Sequence, residues 1–286
     1  MIPPRRIAYQ GELGSNSHSV CEREYPDLEG VPCASFEDVF AAVEPGNGSA
    51  PTADLAMIPI DNSLAGRVAD IHHFLPRSRL HIVAEHFHRI RFSLMGVPGT
   101  SIEQLRTVHS HVHALGQCRN VIRELGLEPV ISGDTAGAAR EVAEAADPTM
   151  GAISPPLAAG IYGLEVLRED IEDEDHNTTR FVVLSRDFVV PPVDSGPMVT
   201  SFIFNVRNIP AALYKALGGF ATNGINMTKL ESYMVGGKFA ATQFLSEVDG
   251  HPEDPGLKLA LDELRFFTTD VKILGVYPAA PEREYS

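Results

Sequence analysis

Two hydrophobic rhythms alternate along the chain as far as Ser185. Apolar runs of extended-strand character, Arg6–Gln10, Asp54–Ile60, Arg106–His109, Pro129–Ile131 and Met150–Ile153, are separated by stretches whose apolar residues recur at helical spacing. The helical stretches are Ser17–Tyr25, Phe36–Val43 opened by Ser35, Val112–Leu125 stopped by Gly126, and the Ala-rich Ala136–Ala146. Strand and helix in alternation predict an α/β fold, parallel sheets covered by helices, with ligands in crevices at the strand carboxyl ends. The pattern is too long for one sheet and predicts two lobes. The extended run Leu80–Val97 is the expected crossing between them, and the apolar run after Thr179 the expected return.

The rhythm then breaks. Val189–Pro197 carries three prolines and a glycine in nine residues, which suits an extended linker and excludes a helix. Beyond it the pattern reads strand Met198–Val206, helix Pro210–Thr222, strands Ile225–Met234 and Lys238–Val248, helix Gly256–Phe267 and strand Val271–Tyr277. This is the ferredoxin-like βαββαβ order. The expected organisation is a first domain over 1–190, with one lobe at about 1–80 plus 168–190 and the other at about 81–167. A linker over 191–197 and a second domain over 198–286 follow.

Composition narrows the class. The chain of 286 residues has 44% hydrophobic and 21% charged residues, an ordinary globular mixture able to bury a sizeable core. A net charge of -15 disfavours nucleic acid and anionic membranes as partners, so an anionic ligand must meet a local positive patch. The N-terminal segment lacks a secretory h-region and no run is long enough to span a bilayer, so the expected location is the cytoplasm. Cys21, Cys33 and Cys118 are odd in number and widely spaced, and read as reduced thiols rather than as disulfides or a zinc cluster.

Several clusters carry chemistry-bearing side chains. His109, His111 and His113 would share a face on a strand, but the strand signal ends near His109 and Ser110 reads as the cap of the following helix, so no metal site is expected there. The pairs His72–His73 and His86/His88 are weaker still. The segment Gly11–Ser17 follows a strand and opens a helix, so its amides are anion-binding candidates against the plainer reading of a turn. Asp61–Gly66 ends a buried strand with hydrogen-bonding side chains. From Glu169 to Asp175 six of seven residues are carboxylates, a run best read as solvated, and His176-Asn-Thr-Thr-Arg180 follows it directly.

Taken in order, IAYQGELGSNSH, MIPIDNSLAGRVADIHHFL, VHSHVHALGQC, GDTAGAA, AISPPLAAGIYGL and HNTTRFVVLSR resemble the motifs of prephenate dehydratase. The tail, with PAALYKALGGF, NGINMTKLES and ILGVY, resembles the ACT regulatory domain that follows it in that family. The resemblance covers nearly the whole chain. It implies conversion of prephenate to phenylpyruvate with loss of carbon dioxide and water in phenylalanine biosynthesis. It implies no cofactor and no metal, a two-lobed catalytic domain like the type II periplasmic binding proteins with an interlobe cleft, and a homodimer or homotetramer joined partly through ACT domains.

By the same resemblance, Thr179 is the catalytic donor to the leaving oxygen. Asn62, Ser63, Ser110, Gln117, Asn177, Arg180 and Phe181 carry over as substrate or positioning residues. A threonine hydroxyl can donate or relay a proton but cannot store one, so solvent or a neighbour must replenish it. Strand alternation constrains Arg180. Either order begins after it, and Thr179 and Arg180 both reach the substrate, or Arg180 faces away and pairs with carboxylates. The substrate charge would otherwise fall to helix N-termini after Gly14 and at Ser110 and to the amides of Asn62–Gly66.

L-phenylalanine is the implied effector, with Asn208, Ala212, Leu213, Asn226, Glu231 and Ser232 as candidate contacts. Both effector motifs depart from the family: Ala211 stands for glycine, and Tyr233-Met234 for an Arg-Pro pair. Asp61 stands where the family has glutamate. The alternatives are arogenate dehydratase, whose substrate has an ammonium in place of the keto group, and a non-enzymatic amino-acid sensor, for which a two-lobed fold would also serve.

Overall fold

The computed structural model describes residues 5–46, 48–68, 71–234 and 241–285. In chain order the elements of the first part are β1 (Arg6–Gln10), α1 (Asn16–Glu24), β2 (Glu29–Cys33), α2 (Phe36–Val43), β3 (Leu55–Asn62), β4 (Gly66–Arg67), α3 (Ile71–Phe74) and β5 (His81–Arg89). Then come β6 (Ser93–Gly96), β7 (Thr107–Ser110), α4 (Val112–Gln117), α5 (Arg119–Glu124), β8 (Glu128–Ile131), α6 (Thr135–Ala145), β9 (Met150–Ser154), α7 (Pro156–Tyr162), β10 (Glu165–Arg168) and β11 (Thr178–Ser185). One sheet runs β2-β1-β3-β11-β5 with β4 paired to β3, and a second runs β10-β6-β9-β7-β8. The chain divides into two compact units, Met1–Phe74 with His86–Phe181 and Leu75–Glu85 with Val182–Ser286, so the boundary falls within β5 and within β11.

Local chemistry explains several helix starts. Ser35 accepts the Asp38 amide while Asp38 accepts the Ser35 amide, each at 3.1 Å, a reciprocal cap that starts α2. Asp134 accepts the Gly137 amide at 2.7 Å and starts α6. The helix pattern over 112–125 is broken in two at Cys118, because Asp173 accepts the amides of Arg119 and Asn120 at 3.1 and 3.0 Å and gives α5 its own start. Ser110 is not a helix cap. It ends β7, and α4 is capped by His111.

The run Leu80–Val97 does cross between sheets, as β5 in the first and β6 in the second. The return lies elsewhere than expected: it occupies 169–177, before β11, because β10 still pairs with β6 and β11 already belongs to the first sheet. Missing from the sequence expectation are β2, β4, α3, α7 and β10. Alanine and glycine fill much of α7, which mutes its helical period.

The second sheet has an apolar layer on each face. On one side Phe92, Leu94, Val108 and Ile153 pack on α4 and α5 residues such as Leu115 and Ile122. On the other Met95 and Ala152 pack on Ala139 and Val142 of α6 and Ala158 of α7. Small residues on α6 and α7 let these helices lie close to the sheet.

The second compact unit holds β12 (Met198–Val206), α8 (Ala212–Thr222), β13 (Met227–Met234), β14 (Ala241–Asp249), α9 (Pro255–Phe267) and β15 (Thr268–Pro278). Their order in the sheet is β13-β14-β12-β15, all pairings antiparallel, which is the ferredoxin-like βαββαβ arrangement. Residues 238–240 of the expected third strand lie outside the described residues. Phe202, Phe204, Phe220 and Phe244 centre the core between this sheet and the two helices.

Candidate functional site

Four of the sequence-derived residues meet in one hydrogen-bonded chain within the first unit. Asn62, the last residue of β3, donates through Nδ2 to Thr179 Oγ1 at 2.9 Å and to Asn177 Oδ1 at 2.7 Å. Asn177 in turn donates to Gln117 Oε1 at 3.0 Å. The Asn62 amide cannot be the other way round, because its Oδ1 accepts the backbone amides of Leu64 and Ala65 at 3.0 and 2.8 Å. This Asx turn follows from the sequence Asp-Asn-Ser at a strand end. Asn177 and Thr179 are buried, at 1% and 7% exposure.

The consequence for Thr179 is specific. Its oxygen accepts from Asn62, so its own O–H is left to donate elsewhere. Ser63 stitches the β3 turn to the segment before it: its Oγ donates to His176 O at 3.0 Å and accepts the Thr178 amide at 2.9 Å.

Strand order sets the face that Arg180 takes. β11 starts at Thr178, ahead of both residues, so Thr179 and Arg180 point to opposite faces of the sheet. Their partners on β3 alternate likewise: Thr179 meets Asn62, whereas Arg180 lies 3.3 Å from Asp61 Oδ2. Among the described residues Arg180 meets the Asp61 carboxylate. Phe181 is packed away at 2% exposure, edge-on to His88. The Ser110 hydroxyl is buried and donates to Ile153 O at 2.6 Å, so it braces β7 against β9.

A cavity of about 510 Å³ opens beside the chain of amides, lined by Leu64, Ala65, Gln117 and Asn177, and by Arg119, Arg123 and the carboxylates Glu172–Glu174. Sequence reasoning missed the two arginines, though their i, i+4 spacing places them on one helix face. Asp173 is committed to the α5 amides. Glu172 accepts the Phe92 amide at 3.0 Å and stands 3.7 Å from Arg89.

Within the Gly11–Ser17 segment, three of the candidate amides are engaged inside the protein. Gly11 donates its amide to Cys33 O at 3.0 Å, Gly14 to His18 Nδ1 at 3.0 Å and Ser15 to Glu12 O at 3.2 Å. The loop docks on the helices of the second sheet. Glu12 accepts from Arg140 Nε and Nη2 at 2.9 and 3.1 Å, and the Tyr162 hydroxyl donates to Leu13 O at 2.8 Å. Gly14 is required here: its φ is +88°, and a Cβ would stand 2.8 Å from Ala158 Cα.

The histidine trio does not converge on one point. His109 Nε2 is 3.1 Å from Thr107 Oγ1, and the rings of His111 and His113 lie 5.1 Å apart. Among the described residues no group of His, Cys, Asp and Glu converges as metal ligands. The side chain of His72 lies outside the described residues. Among those residues, too, no helix is long and apolar enough to cross a membrane.

In the second unit, the pairings Asn205↔Gln243 and Ser232↔Phe244 bring the turn after β12, with Asn208, toward the end of the sheet that carries Ser232. Ala212 and Leu213 open α8 there, preceded by Ala211 at φ +61°. Glu231 stands 3.4 Å from Lys229. Asn226 does not join them. It sits before β13 and donates to Asp249 Oδ2 at 2.7 Å, roughly 20 Å along the strand from Ser232.

The family model described as prephenate dehydratase matches residues 7–188. A curated Komagataeibacter europaeus protein, a bifunctional N-acyl-homoserine lactone acylase/prephenate dehydratase, is 50% identical over 98% of this chain and 98% of its own. Arogenate dehydratase 2 of Petunia hybrida is 39% identical over 96% of this chain and 72% of its own. Among solved structures, a prephenate dehydratase from Arthrobacter aurescens in complex with L-Phe superposes with a TM-score of 0.86 at 29% identity, covering 96% of this chain and 90% of that one.

Proposed function

This chain belongs to the prephenate dehydratase family, is an enzyme of the dehydratase (lyase) class, and, we propose, converts prephenate to phenylpyruvate in phenylalanine biosynthesis. One observation carries the reading. The chain Gln117–Asn177–Asn62–Thr179 is neutral and fully oriented, and it leaves the Thr179 proton free for a leaving oxygen.

Prephenate loses its ring carboxylate as carbon dioxide. The freed electron pair moves through the ring, and the carbon–oxygen bond opposite breaks, so hydroxide departs and takes up a proton as water. Aromatisation drives the step. Thr179 donates to the departing oxygen and regains its proton from solvent, a role worth roughly 10²–10⁴ in rate. Asn62, Ser63, Asn177 and Gln117 hold the geometry. They add no charge that would favour the ground state as charge moves across the ring. Arg180, turned away and beside Asp61, fixes β11 against β3, and Phe181 and Ser110 support the packing beneath.

The domain organisation in this reading is catalytic over 1–190, linker over 191–197 and an ACT domain over 198–286. L-Phenylalanine is its effector, supported by the L-Phe complex of the Arthrobacter relative. The contacts are Asn208, Ala212, Leu213, Glu231 and Ser232. The enzyme acts in the cytoplasm as a homodimer or homotetramer.

Two further substrates have support among the relatives: arogenate, from the Petunia protein, and N-acyl-homoserine lactones, from the Komagataeibacter protein that shares half of this sequence. Purified protein is incubated with each of the three compounds, with and without phenylalanine. Phenylpyruvate formation suppressed by phenylalanine is the expected result. No turnover of prephenate overturns the reading, and no calorimetric response to phenylalanine overturns the regulatory part.

A further inference from the structure

Prephenate brings two negative charges to a protein whose own net charge is -15, and the hydrogen-bonded chain around Thr179 contains no cation. Several candidate recipients are already engaged. The amides of Gly11, Gly14 and Ser15 bond within their own loop or its neighbours, those of Leu64 and Ala65 bond Asn62 Oδ1, and that of Ser63 bonds Thr178 O. Arg180 lies beside Asp61 on the opposite face of the sheet, and Arg89 lies toward Glu172.

Arg119 and Arg123 are the cations that line the cavity itself. They stand at i and i+4 on α5, line the cavity together with Gln117, Asn177 and the carboxylates of Glu172, Asp173 and Glu174, and among the described residues neither guanidinium has a hydrogen-bond or ion-pair partner. The break between α4 and α5 sets Gln117, the end of the amide chain, two residues before Arg119. Asp173, which makes that break, spends both carboxylate oxygens on the amides of Arg119 and Asn120 and so leaves the guanidinium groups unpaired.

We propose that Arg119 and Arg123 together bind the carboxylate of the substrate's three-carbon 2-oxo acid arm. This rests on the dehydratase reading of the site. The chemistry selects that carboxylate over the one on the ring. The ring carboxylate gives up its charge as it leaves, so a cation held on it would stabilise the ground state and oppose the reaction. The charge of the 2-oxo acid arm persists from substrate to product, so a guanidinium pair on it contributes binding without raising the barrier. Guanidinium forks match a carboxylate through paired N–H donors. Anchored there, the substrate extends its ring along the amide chain, with the hydroxyl end toward Thr179.

The test compares wild type with R119Q, R123Q, the double variant and R119K/R123K. Both arginines are exposed, so the variants are expected to unfold at the wild-type temperature. Each single change raises KM for prephenate roughly three- to tenfold, and the double change more, with kcat altered less. Lysines restore part of the loss. Phenylpyruvate, which keeps the 2-oxo acid arm and lacks the ring carboxylate, is titrated calorimetrically as a second probe, and its Kd rises in parallel. A double variant whose KM and phenylpyruvate Kd both stay within twofold of wild type overturns the proposal. If wild type fails to turn over prephenate, the dehydratase reading falls and the titration still decides the arginines. Phenylpyruvate bound by wild type and lost in the double variant supports them; equal binding, or none by wild type, overturns them.

Discussion

Replacing Thr179 with valine removes one hydroxyl and keeps both the β-branch that suits a strand and nearly the same volume. In the folded protein that hydroxyl accepts one hydrogen bond, from Asn62 Nδ2 at 2.9 Å, at a site 7% exposed. Its loss leaves one Asn62 N–H without its best acceptor. Thr178 O, 3.4 Å away, takes up part of the deficit, so the expected stability cost is about 1–2 kcal/mol. Catalysis should suffer more. If Thr179 supplies the proton to the leaving oxygen, kcat falls by roughly 10²–10⁴, equivalent to about 2.7–5.5 kcal/mol of barrier. The assay follows phenylpyruvate at saturating prephenate, beside circular dichroism and thermal unfolding to establish that the variant is folded. Thr179→Ser keeps the donor and should stay within about tenfold of wild type. A folded T179V enzyme with kcat within threefold of wild type refutes the assignment.

Three further outcomes follow from local geometry. Arg140→Gln removes the partner of Glu12, an ion pair with both side chains more than a third exposed, and should cost no more than about 1 kcal/mol. The Arg140 hydrogen bonds hold the Glu12 carboxyl below its ordinary value of 4.5, so the pair's contribution is present above that value and lost as pH falls through the folded one; R140Q should flatten denaturation midpoints measured across that range. Burial, helped by the Arg23 guanidinium, pushes His88 down to about 4, so an unfolded chain that protonates near 6.5 gains on the folded one between those values; His88→Gln should make the fall in stability over that interval shallower. Ala211 holds φ +61°, a left-handed conformation costly for any residue with a Cβ, so Ala211→Gly should stabilise the protein by up to about 1 kcal/mol, read as a rise in Tm.

Much of the site was legible because short-range chemistry writes it. A polar Asp-Asn-Ser at the end of an apolar run makes an Asx turn, and an Asn-Thr-Thr-Arg segment at the start of another places hydroxyl and guanidinium on alternate faces. The sequence motifs named Asn62, Gln117, Asn177 and Thr179, and these are the residues that the fold joins by hydrogen bonds. What failed were statements about direction and pairing across the chain. Ser110 had the chemistry of a helix cap but bonds a neighbouring strand. Arg119 and Arg123 carry no sequence signal of their own, because a charged helix face normally means only solvent.

The sequence alone determined the two-period pattern, the βαββαβ tail and the family motifs, because hydrophobic spacing and turn chemistry act over a few residues and survive any packing. Only the tertiary structure decided which face each strand residue took and which amides were already satisfied. It also decided which carboxylate each cation met. Those are matters of register between strands and contacts more than a hundred residues apart, such as Asn62 with Thr179 and Arg180 with Asp61, and no local period encodes them.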